Sequence, residues 1–128
     1  MTVQTKRKYF EKRVSHYFGN VFKISHLQLE MGYDENDDDN RAYTIYNNLS
    51  SGDCQVVISP CKKWLQEKDL TLFEIDRTAF HEVLEAMFAE ISNIMESRFI
   101  QKDMIPNAMH RVIRNFENNI FPMIKDKK

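Results

Sequence analysis

The sequence predicts an α+β fold: an N-terminal helix, a three- to four-stranded, mainly antiparallel sheet, and two C-terminal helices packed on one face. Three observations lead there. Apolar residues recur at helical spacing near the N-terminus. Short alternating runs separated by polar turns fill the middle. Wide apolar stripes of helical period occupy the last fifty residues.

The elements follow in order. From Lys6 to about Phe22 the apolar residues fall at Phe10, Val14, Tyr17, Phe18, Val21 and Phe22, with basic residues between them, an amphipathic pattern that Gly19 can break. His26–Met31 alternates, with Leu27, Leu29 and Met31 on one face. Arg41–Tyr46 is a second strand. Asn47–Asp53 is dense in turn formers, and Cys54–Ile58 is a third strand, so an antiparallel meander is expected. Ser59-Pro60 reads as a helix start, carrying Trp64 and Leu65 inward and ending near Asp69. Leu70–Ile75 reads as a fourth strand, its pairing left open by a short connection. Asp76 or Thr78 caps a long helix with Phe80, Leu84, Met87, Phe88, Ile91, Ile94, Met95 and Phe99 on its stripe, ending near Lys102. Pro106 opens a last helix with Met109, Val112, Ile113, Phe116, Ile120 and Ile124 inward. Residues 1–128 form one domain, with 1–5 and 125–128 frayed.

Bulk properties narrow the function. With 18 basic and 19 acidic residues, net charge says nothing about a polyanionic partner, but basic ends flank an acidic middle. Two cysteines make no disulfide framework. No apolar run approaches the roughly 20 residues of a membrane span, and no secretory leader is visible, so a cytoplasmic address is expected. Abundant Asn, Lys, Ile, Phe and Tyr, with three Gly and three Pro, suit an AT-rich source such as a phage or mobile element.

The loudest local signal is Asp34–Asn40, seven consecutive carboxylates or carboxamides. An EF-hand reading fits Asp34, Asn36 and Asp38 but fails at Asp39, where Gly is needed, and at Ile45, where a bidentate Glu is needed. A solvated hairpin loop is the expected reading, ahead of an acidic partner-docking patch and of a looser cation site that would relieve the repulsion between carboxylates. HEVLE, His81–Glu85, falls one residue short of a zinc helix, because Glu85 stands where the second His is required. His16, His26 and His110 stand singly, none at a ligand spacing, so no metal site and no cofactor are expected. Cys61, in a first helical turn, would have a lowered pKa, but no base lies near it in sequence. No phosphate-cradling glycine loop and no nucleophile elbow occur.

Two segments suit binding. Lys6, Arg7, Lys8, Lys12 and Arg13 are interleaved with aromatics and can meet nucleic-acid phosphates. The stripe of the long helix exceeds what a small sheet covers, so Met87, Ile91, Ile94 and Met95, with Met109, form a candidate partner or self interface. The expected function is therefore a small non-catalytic interaction or assembly protein, binding itself or another protein. Nucleic-acid binding is the alternative, and a catalyst built on His81, Glu85 or Cys61 comes third.

Overall fold

The structure, a computed structural model, describes residues 1–25, 27–48, 54–98, 106, 110, 113, 114, 117, 118 and 120–124, leaving aside the side chains of 48 and 90–98. Helix α1 spans Val3–Ser15, and the Thr2 hydroxyl caps it by accepting from the Thr5 N–H at 3.1 Å. Lys6, Phe10 and Val14, four apart, form its buried row. The helix does not break at Gly19. It runs on as a π-helical segment, His16–Val21, that buries Tyr17 and Phe18.

Strands β1 (Gln28–Met31), β2 (Ala42–Asn48) and β3 (Cys54–Pro60) form one sheet in the order β1-β3-β2. β2 pairs antiparallel with β3, Ala42 opposite Pro60 and Asn48 opposite Cys54. β1 pairs with β3 in parallel, Gln28 opposite Gln55 and Met31 opposite Ile58. The sheet is thus mixed, not an antiparallel meander. β3 is the strand with most to bury: Val56, Ile58, Ser59 and Pro60 are all shielded, so it takes the centre with partners on both edges.

That order routes the acidic stretch. The chain leaving β1 must cross the C-terminal end of β3 to reach β2. Along the way Gly32 N–H donates to the Ile58 carbonyl (2.9 Å), Asp34 N–H to Pro60 (3.1 Å), Lys62 N–H to Asp34 (2.8 Å) and Cys61 N–H to Arg41 (2.9 Å). The approach is close enough that a Cβ on Gly32 would lie 2.2 Å from the Ser59 hydroxyl. Residues 34–40 are therefore a crossing loop and not a hairpin between neighbouring strands. Two of its carboxylates hold it. Asp34 accepts from the N–H groups of Asn36 and Asp37 and from the Tyr43 hydroxyl at 2.6 Å. Asp37 accepts from the N–H groups of Asp39 and Asn40 and from the Asn40 amide.

Ser59 and Pro60 complete β3 instead of opening a helix. A proline ending a strand removes no ladder bond that is needed there. Cys61 takes the N-cap position of α2, Lys62–Leu65. The expected fourth strand, Leu70–Ile75, is absent. Thr71 and Glu74 bond reciprocally, the Glu74 N–H to the Thr71 hydroxyl (3.2 Å) and the Thr71 N–H to the Glu74 carboxylate (3.0 Å). That capping box starts α3, Leu72–Arg98, ahead of Asp76 and Thr78. Pro106, His110, Ile113, Arg114, Glu117 and Asn118 are helical, and Phe121–Ile124 forms α4. Of the expected pair of C-terminal helices only α3 is described along its length, while Phe99, Lys102, Met109, Val112, Phe116 and residues 125–128 fall outside the described residues.

The core joins Phe10, Val14 and Tyr17 of α1 and its extension to Val56 and Ile58 of β3, Ile75, Ala79, Phe80, Val83 and Leu84 of α3, and Ile113 and Phe121. The Phe80 ring lies 5.2 Å from both Tyr17 and Phe121. Among the described residues no helix is long and apolar enough to cross a membrane.

Asp76 is buried at 5% exposure between α1 and α3. It accepts from the Tyr17 hydroxyl and from Arg13 Nε, both at 2.7 Å, and Arg13 also donates to the Tyr17 oxygen at 3.1 Å. Asp76→Ala leaves a guanidinium and a phenol without their acceptor, so we expect a loss of about 3 kcal/mol, read from the shift of the urea unfolding midpoint. In the crossing loop, hydrogen bonds hold the Asp34 and Asp37 carboxyls below their ordinary value of 3.8, the largest coming from Tyr43 and from the Asn40 amide. A depressed folded pKa contributes stability above the unfolded value and loses it as pH falls through the folded value. Stability should therefore drop below pH 3.8, followed by Trp64 fluorescence, and the drop should shrink in the Asp34→Asn/Asp37→Asn variant.

Candidate metal centre

Along α3, Glu74, Arg77, Thr78, His81, Glu82 and Glu85 step three, one, three, one and three residues, which places them on one helix face. In the facing segment His110, Arg114 and Glu117 step four and three. Both sets line one open cleft of about 870 Å³, closed on its third side by residues 39–44 at the start of β2. β2 is tied to α3 by the Thr44 hydroxyl, which donates to a Glu82 carboxylate oxygen at 2.8 Å.

Glu117 organises the base of the cleft. Only 9% exposed, it accepts from Arg77 Nε at 3.3 Å and is bonded to His81 Nδ1, while Arg77 also donates to the Asn118 side-chain oxygen at 2.8 Å. With Nδ1 occupied, His81 turns Nε2 toward Glu85, whose Oε2 lies 3.6 Å away. His110 brings its own Nε2 to 3.1 Å from the other Glu85 oxygen, and the two imidazole rings lie 5.6 Å apart. Among the described residues, His81, Glu85 and His110 are the one trio of potential ligands whose donor atoms all lie within 4.8 Å of one another.

The electrostatics follow from burial and charge. Burial disfavours the His81 imidazolium, but the bond to Glu117 and the charges of Glu82, Glu117 and Glu85 outweigh it, and its pKa lies above the ordinary value. Burial acts to raise Glu117, and the bond and charge of His81, with the charge of Arg77, overcome it and pull that carboxyl down. Glu82 is pushed up, first by burial and then by the charge of Glu85.

The residues singled out from sequence are distributed as follows. His81 and Glu85, one turn apart on α3, come together, and the partner that sequence spacing did not supply is His110, twenty-nine residues after His81. The signal passed over was the second, polar stripe on α3, facing a short charged stripe with its own histidine. Cys61 is fully buried. Its thiol is pushed up to about 11, by burial first and then by Asp37, Asp34 and Glu82, so the lowered pKa expected of it is reversed. The N-terminal cations are largely committed. Lys6 donates to the carbonyls of Leu65 and Glu67. Arg7 pairs with Glu11 and lies over the Tyr33 ring. Arg13 is held by Asp76, which leaves Lys8 and Lys12 exposed. Of the candidate interface, Met87 packs against the core. The side chains of Ile91, Ile94 and Met95, and all of Met109, lie outside the described residues.

Compared with known proteins, the chain matches no protein-family model, no curated protein and no solved structure.

If Cys61 is as inert as its burial implies, a Cys54→Ser variant should be alkylated at neutral pH at least about 100-fold more slowly when folded than in denaturant, following the smaller thiolate fraction and blocked access. Labelling as fast as in denaturant would show an accessible thiolate.

Proposed function

We propose that this chain is a metal-binding protein whose His81, Glu85 and His110 hold a divalent transition ion at the wall of the cleft. The observation that carries the reading is the convergence of two Nε2 atoms and one carboxylate, with His81 already turned by a carboxylate on its other nitrogen. Metal-bound histidines characteristically donate their second N–H to such an outer partner, which sets the tautomer and the ring orientation. Here Glu117 fills that role, and Arg77 anchors Glu117 in turn.

Ligand chemistry narrows the ion. Two imidazoles and a carboxylate suit Zn²⁺, Fe²⁺, Co²⁺ or Mn²⁺ better than Ca²⁺ or Mg²⁺, which prefer oxygen-only sets. Three protein ligands beside an open cleft leave coordination positions free, as in centres that act on a ligand, whereas structural zinc sites are closed by four. An ion at this position would also join α3 to the C-terminal segment. The self-assembly and nucleic-acid readings have less beneath them, the first because its side chains are largely outside the described residues, the second because Lys6, Arg7 and Arg13 are already engaged.

Calorimetric titration of metal-free protein with Zn²⁺, and Co²⁺ absorption spectroscopy, should report one ion per chain. His81→Ala and His110→Ala should abolish binding, and Glu117→Gln should weaken it by about tenfold while leaving circular dichroism unchanged. Affinity should fall with decreasing pH because both imidazoles must be deprotonated to bind. The absence of stoichiometric binding, or full affinity in both histidine variants, would refute the reading.

A further inference from the structure

We propose that the open side of this centre takes a small oxyanion, a phosphate or carboxylate group that binds the ion and is gripped by Arg114 and Arg41. The inference rests on the metal reading above and goes on to name the class of ligand.

The cleft is much larger than an ion requires. Its volume of about 870 Å³ lies in the range of small-molecule sites. Its polar groups divide into those already engaged and those that are not. Glu117 is taken by Arg77 and His81, Glu82 by Thr44, and Glu74 by the Thr71 N–H at the start of α3. Arg77 is taken by Glu117 and Asn118. Among the described residues, the guanidinium groups of Arg41 and Arg114 meet no carboxylate, although both residues line the cleft. Glu85 is shared by His81 and His110, and Asp39, the remaining cleft carboxylate, is exposed on the crossing loop.

Position adds to this. His110 and Arg114 are each helical and both line the cleft, which brings the guanidinium to the same space as a metal ligand. Arg41 lines the same cleft from another segment, where the crossing loop delivers the chain to β2. A ligand reaching from the ion to these two forks must offer oxygens to both, and planar guanidinium groups match phosphate and carboxylate in bidentate geometry. A neutral or cationic ligand would leave both guanidiniums unanswered.

The test uses the full chain loaded with Co²⁺, titrated separately with inorganic phosphate and with malonate, with both the visible spectrum and the heat recorded. We expect at least one of the two anions to perturb the Co²⁺ bands and bind saturably, and comparison of the two arms tells a phosphate site from a carboxylate site. Arg114→Ala and Arg41→Ala should retain Co²⁺ but lose anion affinity by about tenfold each, as expected for a charge-assisted bond, with Arg114→Lys intermediate. Unchanged spectra with both anions, or equal affinity in the arginine variants, would overturn the proposal while the metal reading stands. Failure of Co²⁺ itself to bind would remove both.

Discussion

A carboxylate kept from water must be answered by donors, and Asp76 is the buried carboxylate through which that requirement ties α1 to α3. Its partners, Arg13 and Tyr17, lie on α1 and its π-helical extension, so the three side chains fix the rotation of α3 as well as its position. Asp76, Phe80 and Leu84, four apart, form the row turned to the core. The next row, Arg77, His81 and Glu85, is displaced by one residue, about 100° around a helix of 3.6 residues per turn. Once Asp76 is docked, that row must face the space between β2 and the C-terminal segment.

The sheet supplies the second constraint. Because β3 is paired on both edges, β1 and β2 cannot be neighbours, and the chain between them has to pass over the end of β3. The acidic loop solves the resulting backbone problem with its own side chains. Asp34 and Asp37 gather N–H groups that strands would otherwise satisfy, and the loop then delivers Arg41, Tyr43 and Thr44 to the cleft. Tight turning of the backbone, with the charge staying at the surface, accounts for the density of Asp and Asn there.

Charge in this protein is spent mainly on its own architecture. Lys6 bonds two carbonyls at the C-terminal end of α2 and just past it, Arg13 is built into the core contact, and Arg77 anchors Glu117. Part of the basic N-terminus, and Asp34 and Asp37 of the acidic middle, are internal fastenings, while Lys8, Lys12, Glu35, Asp38 and Asp39 stay exposed. The cleft is the exception, since two histidines share one carboxylate and two guanidinium groups stand without a carboxylate among the described residues. A set of groups that the fold gathers without saturating is the kind of place where a ligand completes the structure.

The sequence by itself determined the helical and strand segments wherever one periodicity dominated. The row Phe10, Val14, Tyr17 and the alternation of Leu27, Leu29 and Met31 needed no tertiary information, because each pattern allows one face to be buried. It misread Leu70–Ile75, where six residues are too few for the pattern to separate strand from helix and the Thr71–Glu74 capping box decides. It also misread the pairing of β1, because alternation marks a strand without naming its neighbour or direction. The centre was half legible: His81 and Glu85 are one turn apart, so any helix brings them together. His110 belongs to a separate segment, and only the docking of that segment through Glu117, Arg77 and the buried Ile113 and Phe121 carries it to Glu85. Helical spacing acts over one turn and is written in the sequence. Contact between segments is chosen by the packing of the whole core, and it was the tertiary structure that decided which histidine Glu85 would meet.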